Sequence, residues 1–362
     1  MQGSATVTGL RLRGCPKRLD EAYDLALLDL DGVLYIGPDA VPGAPEAVDA
    51  ARRSGMRVSF VTNNASRSAR TVADHLTRLG IHAAVDDVVT SAQVAAAVLA
   101  RRLPAGAPVL VIGGDGLQAA LTEQGLQPVG SVDEGALAVV QGFNPDLTWR
   151  NLAEGTRAVR SGLFWLATNL DLTVPTPHGP APGNGALVGL VADAAGRRPD
   201  EVAGKPNPGS FVEAARRYGS RHPLVVGDRL DTDLEGARAA GQDGLLVLTG
   251  VTGAADLVVC PPHRRPCYLG RDLAVLGQAQ PEAELLPGDG VVRARCRQAE
   301  VAVDEAGLRV LTPGPDALDL LRAAVQAAWN WTDGRPAGGG AVDPAPLLDA
   351  LHALEPGVTW AR

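Results

Sequence analysis

From Asp24 onward the chain alternates short apolar runs, each closed by Gly, Asp, Thr or Asn, with Ala-rich stretches whose apolar residues recur at helical spacing. A run of four to six apolar residues suits a strand buried on both faces, and a helix between two such strands returns the chain to begin the next in parallel. The candidate strands are Leu25 to Leu28, Arg57 to Val61 and Pro223 to Val226; the candidate helices are Ala44 to Ser54, Ser68 to Leu79 and Leu234 to Ala240. Between about Asp86 and Leu187 the alternation repeats with strands of its own, Val109 to Ile112, Leu137 to Val140 and Leu163 to Ala167. The pattern predicts a parallel α/β sheet with a second α/β unit inserted into it.

The insertion ends in Asn169 to Gly185, whose density of Pro and Gly reads as a shaped connection of the kind that often carries specificity. After Leu276 the composition shifts. Val291 to Gln298 and Glu300 to Val303 read as two strands before a helix from Asp316 to Trp329, a Gly/Pro linker from Gly334 to Asp343 and a short helix around Leu347 to Leu354.

Composition narrows the function. With 46% hydrophobic and 20% charged residues in 362, the chain is that of a folded protein, long enough for two or three domains. A net charge of -8 argues against a nucleic-acid partner, because neutralising a phosphate backbone takes a clustered basic face. The densest basic stretches, Arg11 to Arg18 and His263 to Arg265, interleave no aromatics and read as solvated loops. Cys15, Cys260, Cys267 and Cys296 show no paired-ligand spacing, so reduced structural thiols are expected. No apolar run approaches the ~18 residues of a spanning helix, and the first residues have no apolar core of a signal segment. A cytoplasmic enzyme without a membrane partner is the expectation.

Four polar clusters follow strands. Asp29-Leu30-Asp31-Gly32 comes directly after the apolar run ending at Leu28, and Thr62-Asn63-Asn64 follows Val58 to Val61. Lys205 lies in GKPNPGSF, and Gly227-Asp228-Arg229-Leu230-Asp231-Thr232-Asp233 follows Pro223 to Val226. Singly each has a plain structural reading: a turn with solvated acids, a helix cap, a lysine at a helix start. Together, at the carboxyl edge of one parallel sheet, they would bring carboxylates, a hydroxyl and an ammonium to one place. Phosphoryl transfer uses that inventory: a nucleophile, an acid for the leaving oxygen, positive charge on the equatorial oxygens and a hard cation. Mg2+ would take Asp29, the backbone carbonyl of Asp31, and Asp228 as oxygen ligands.

In kind and order the four clusters resemble the motifs of the haloacid dehalogenase superfamily. The TNN, GKP and GDRLDTD forms are similar to the branch holding NagD-type nucleotide phosphatases and phosphoglycolate phosphatases, over roughly Asp24 to Leu276. The resemblance implies a Rossmann-like doubly wound core, residues 24–85 and 188–276, with an inserted α/β cap at 86–187. An N-terminal extension, 1–23, and a small α+β unit, 277–362, would flank it. It implies that Asp29 is the nucleophile that becomes an aspartyl phosphate, and that Asp31 protonates the leaving alkoxide and later activates water. Thr62 and Lys205 would grip the phosphoryl oxygens. Asp29, Asp31, Asp228 and Asp233 would serve the Mg2+ site, Asp233 through metal-bound water or by orienting the others. Asp231 receives no role.

In the insertion, Asn169, Asp171, Pro182, Gly183 and Asn184 resemble the family's TNxD and PGxG segments. With Thr62, Asn63, Asn64 and Lys205 they imply substrate contacts, while His178 in the same loop is assigned none. VVTSAQ, VVQG, AGKP and TGV followed by RRP-x-Y-x-G look closest to the glycerol 3-phosphate phosphatases of actinobacteria, which makes a small phosphorylated metabolite the expected partner. Phosphoglycolate, a nucleoside monophosphate and pyridoxal phosphate stay open as substrates. Phosphotransfer to another acceptor, a non-catalytic protein of the same fold, and a homo-oligomer also stay open. Arg335 to Ala341 literally fits a loop that holds a coenzyme A pyrophosphate, but it follows a helix and contains proline, so a linker is expected there.

Overall fold

The structure, a computed structural model, describes residues 11–176, 179–288, 290–335 and 341–360. Its contacts divide it into two compact units: residues 27–40 with 58–221, and the described part of 1–26 with 41–57 and 222–362. The strand Leu25–Leu28 begins in one and ends in the other, its four residues without solvent exposure.

In the unit of residues 27–40 and 58–221, five parallel strands form one sheet. Their order is Glu201–Val202, Phe164–Ala167, Ala138–Gln141, Pro108–Ile112 and Gln127–Val129. Pro108–Ile112 is laid down first, gains one neighbour on one side, and the chain then crosses to the other. That reversal is where doubly wound sheets open a crevice at their carboxyl edge. Helices Ser91–Arg102, Asp115–Glu123, Trp149–Arg160 and Asn184–Ala195 connect or flank the strands, and Ile112, Val139, Val159, Trp165 and Val188 meet in one core. Two of these helices start where the sequence supplies both halves of a reciprocal cap, Thr90 with Gln93 and Thr148 with Asn151. The unit also holds the parallel pair Arg57–Thr62 and Val88–Thr90, Thr62 facing Thr90.

The expected strands of the insertion lie within two residues of those observed. The segment Asn169 to Gly185 differs: it contains an antiparallel pair, Thr173–Thr176 with Gly179–Pro182. A two-stranded ribbon outside the main sheet buries too little to show an apolar alternation, and its prolines read as loop. His178 lies outside the described residues.

In the other unit, Pro223–Gly227, Asp243–Val247 and Tyr268–Gly270 run parallel. The expected helix from Leu234 is preceded by a wider π-type turn, Leu230–Leu234, before Glu235–Ala239. Beyond it lies a four-stranded antiparallel sheet in chain order, Glu284–Leu286, Val292–Cys296, Ala299–Asp304 and Gly307–Thr312. The sequence indicated the middle two; the outer two are a three-residue strand too short for a period and an edge strand whose Leu311 and Thr312 face water.

Helix Ala317–Asp333 is buried around most of its circumference. It shares a core with Val301, Val303 and Leu308 of the antiparallel sheet and with Leu246, Leu257 and Leu269 of the parallel region. The Trp329 indole N–H donates to the Leu257 carbonyl at 2.8 Å, and the Arg322 guanidinium donates to the Leu269 carbonyl at 2.8 Å and to Asp319 at 2.9 Å. A fully buried aromatic of this size stabilises by about 2 to 3 kcal/mol. Of the glycine-rich stretch Arg335 to Ala341, residues 336–340 lie outside the described residues. Among the described residues no helix is long and apolar enough to cross a membrane.

Candidate active site

A parallel strand leaves its last peptide groups and the next side chain at the carboxyl edge of the sheet. Asp29 is that next residue after Leu25–Leu28, and its carboxylate is 2.5 Å from the Lys205 ammonium. Both residues are almost out of water, at 8% and 3% exposure. Burial pushes the Asp29 carboxyl up, and the Lys205 ammonium pulls it back toward the charged form. Lys205 also donates to the Val61 carbonyl at 3.3 Å, which brings it to the end of the strand Arg57–Thr62. Thr62, 2% exposed, accepts the Asn64 N–H at 3.0 Å on its hydroxyl oxygen.

Asp31 is exposed, while enough protein surrounds its carboxyl for desolvation to push it up, against the pull of Lys205 and Arg67. A carboxyl raised this way holds a proton more readily, as an acid for a leaving oxygen must. The turn brings Tyr35 back over it, the phenol 3.5 Å from Asp31 Oδ2 and its ring edge-on to His75.

Asn63 joins these groups to the insertion. Its Oδ1 accepts the Lys205 N–H at 2.8 Å, and its Nδ2 donates to the Lys205 carbonyl at 3.1 Å and to the Asp171 carboxylate at 3.1 Å. Asn169 Nδ2 donates to the Asn63 carbonyl at 2.8 Å, and Asn184 Nδ2 to the Asn169 carbonyl at 2.7 Å. The Asn64 carboxamide oxygen accepts from the Ser66 N–H and hydroxyl, each at 2.8 Å. Of the residues expected to contact substrate, the structure therefore brings Asn63, Asn169, Asp171, Asn184 and Lys205 into one hydrogen-bonded chain. Gly183, buried, donates its N–H to the Leu172 carbonyl, and Pro182 is exposed.

In the unit of residue 222 onward, Asp228 follows the strand Pro223–Gly227 and Asp233 lies in the π-type turn. Both are buried, at 1% and 0% exposure, and one carboxylate oxygen of each lies within 4.8 Å of the other. Asp228 Oδ2 accepts the Val251 N–H at 2.6 Å and Asp233 Oδ2 the Arg229 N–H at 3.1 Å, so backbone amides fix both carboxylates. A Cβ on Gly250 would stand 1.8 Å from Asp228 Oδ2, which leaves glycine as the residue that lets this loop pass the carboxylate. Two buried acids held this close suit a hard divalent cation with oxygen ligands. Asp231 is spent on Arg229, with contacts of 2.9 and 3.1 Å.

Three residues escaped the sequence reading. The positive charge of Arg67 acts on Asp31, Tyr35 carries the phenol above it, and the Ser91 hydroxyl donates to the Asn63 carbonyl at 2.6 Å. Arg67 stands three residues beyond the TNN cluster, where a basic side chain was the available signal.

Comparison with known proteins identifies the family. A family model described as haloacid dehalogenase-like hydrolase matches residues 26–127, and a HAD-hydrolase-like model matches 202–276. A D-glycerol 3-phosphate phosphatase of Mycobacterium tuberculosis is 43% identical over 322 residues, 87% of this chain and 88% of the relative. An acid sugar phosphatase of Staphylococcus aureus is 37% identical over 253 residues, 69% of this chain and 95% of the relative. Among solved structures, the glycerol phosphate phosphatase of M. tuberculosis in complex with magnesium superposes with a TM-score of 0.80 at 40% identity, covering 94% of this chain and 99% of that one. A p-nitrophenyl phosphatase from Archaeoglobus fulgidus gives 0.65 at 31% identity, covering 70% and 98%. With its acids and lysine set at strand ends and these relatives spanning most of its length, the chain belongs to the haloacid dehalogenase-like hydrolases, as a phosphatase.

Proposed function

We propose that this chain is a Mg2+-dependent phosphatase for small phosphate monoesters, with glycerol 3-phosphate as its substrate, and that Asp29 is its nucleophile. The observation that carries the reading is the Asp29–Lys205 contact, 2.5 Å and nearly dry. A buried carboxylate has a strongly unfavourable desolvation term that a neighbouring ammonium offsets, and such a pair is kept where the charges have work to do. Identity of 43% to the mycobacterial D-glycerol 3-phosphate phosphatase supports the choice of ester.

In this reading an Asp29 oxygen attacks phosphorus, the ester oxygen departs, and Asp31 supplies its proton, leaving phosphate bound to Asp29 as an acyl phosphate. Water then attacks phosphorus, Asp31 takes a proton from it, and the Asp29 carboxylate returns as inorganic phosphate leaves. Thr62 and the Lys205 ammonium hold the equatorial oxygens in the position where their charge develops. Asp29, the Asp31 carbonyl, Asp228 and Asp233 would hold the Mg2+, whose charge offsets repulsion between the carboxylate and the phosphate when it is bound. A cytoplasmic location accords with four buried free thiols and no disulfide among the described residues.

The test is phosphate released from a panel of small esters in Mg2+. Glycerol 3-phosphate should give the highest kcat/KM, and a tenfold preference for a sugar phosphate, phosphoglycolate or a nucleotide would replace the substrate while leaving the chemistry standing.

A further inference from the structure

A lysine that must meet a phosphoryl oxygen is only as well placed as its backbone. Lys205 has both of its backbone polar groups held by a single side chain, since Asn63 Oδ1 accepts its N–H at 2.8 Å while Asn63 Nδ2 donates to its carbonyl at 3.1 Å. The carboxamide thus pairs with one residue as a neighbouring strand would. Its second N–H goes to the Asp171 carboxylate, 3.1 and 3.3 Å from the two oxygens. The backbone carbonyl of Asn63 is itself held, by Asn169 at 2.8 Å and Ser91 at 2.6 Å.

The seat is tight. A Cβ on Gly204 would stand 2.5 Å from the Thr168 carbonyl, 2.6 Å from Asn63 Oδ1 and 3.2 Å from Asn169 Cβ, so the peptide preceding Lys205 lies directly against Asn63 and the insertion. A continuous path results, from Asp171 through the Asn63 carboxamide and the Lys205 backbone to the ammonium and Asp29.

We propose that Asn63 and Asp171 are a positioning pair for Lys205, which makes the grip on phosphate conditional on the Asn169-to-Asp171 loop being seated, and that neither acts through contact with the alcohol part of the substrate. The inference rests on the reading of Lys205 as the residue that grips phosphate. A displacement of the ammonium by about 1 Å is worth on the order of a hundredfold in rate, and it would be blind to the ester, because every substrate presents the same phosphoryl group.

The experiment compares wild type, K205M, N63D, D171N and N63D/D171N on glycerol 3-phosphate and p-nitrophenyl phosphate, with thermal unfolding of each. N63D keeps an acceptor for the Lys205 N–H but sets two carboxylates against each other. The expected result is a fall in kcat of about a hundredfold by the same factor on both esters, with KM moved far less. In N63D/D171N the new carboxamide donates back to the new carboxylate, and at least tenfold of kcat should return. Recovery stays partial because the Lys205 carbonyl has lost its donor.

A loss as large in the double variant as in N63D, a wild-type kcat in N63D, or a loss confined to one ester would overturn the proposal. K205M separates the two readings: an inactive K205M with an unaffected N63D sinks the pair alone, and a fully active K205M sinks the role of the lysine and the pair with it. Should N63D not fold, D171A carries the test, with a fall of about tenfold on both esters expected and an unchanged kcat contradicting the proposal.

Discussion

The Lys205 ammonium and the Asp29 carboxylate, 176 positions apart in the chain, meet at 2.5 Å with almost no water on either. Removing one charge from such a pair does more than delete a contact, because the other is left buried and uncompensated.

Asp29→Asn should therefore show two effects. Phosphate release should fall by roughly a thousandfold or more, since an amide is a poor nucleophile. Stability should drop by about 3 kcal/mol as the Lys205 charge loses its partner. Phosphate release and urea unfolding measure the two, and a folded variant at full activity would refute Asp29 as nucleophile.

Gly250→Ala tests the acid pair of the other unit. Its Cβ would fall 1.8 Å from Asp228 Oδ2, so the carboxylate or the loop must shift. The Mg2+ concentration for half-maximal activity should rise by about tenfold to a hundredfold, the usual cost of disturbing a group that orients a metal ligand. A titration with Mg2+ and far-ultraviolet circular dichroism decide the matter, an unaltered midpoint telling against Asp228 as a ligand. Excess chelator should silence the wild type.

The helix Ala317–Asp333 predicts a separation of stability from catalysis. Arg322 is buried, with its guanidinium on Asp319, the Leu269 carbonyl and Gln280. Arg322→Ala leaves the buried Asp319 without this partner and should cost about 3 kcal/mol, while kcat per folded molecule stays within twofold. A stability unchanged to within 0.5 kcal/mol, roughly the scale of a neutral surface change, would contradict the packing role.

Acid stability should show a contribution from Glu154. Its carboxylate accepts from the Arg157 guanidinium, the Val132 N–H at 2.7 Å and the Ser131 hydroxyl at 2.9 Å, and these hold it down at about 2. A folded value below the unfolded one, about 4.3, means the contribution is present above pH ~4.3 and is lost as pH falls toward 2. The group is at the surface and partly exposed, so the effect is screened and small. Glu154→Gln should flatten the pH dependence of the melting temperature in that window; an identical slope would count against it.

What was legible in the sequence follows from how each feature is encoded. Asp29, Thr62 and Asp228 could be found because each lies at or just beyond an apolar run, and a parallel sheet turns those ends to one edge, whereas Lys205 follows no such run and was marked by its GKP segment. The partners of Asn63 could not, because they lie 142 and 108 positions away and depend on which atom of a carboxamide faces which backbone group. The antiparallel pair Thr173–Thr176 with Gly179–Pro182 stayed hidden for a local reason, since its prolines read in the sequence the same as those of an irregular loop. The role of Ala317–Asp333 was obscured by its near-uniform burial: its apolar residues mark a packed helix without saying against what.

That shared core bears on the order in which the molecule is made. Leu257 and Leu269 leave the ribosome well before Trp329 and Leu351, which close over the same cluster. Until those later residues emerge, the nascent chain carries an uncovered greasy face, so its acquisition of the folded state in this unit must wait until they have left the ribosome or be shielded by a chaperone.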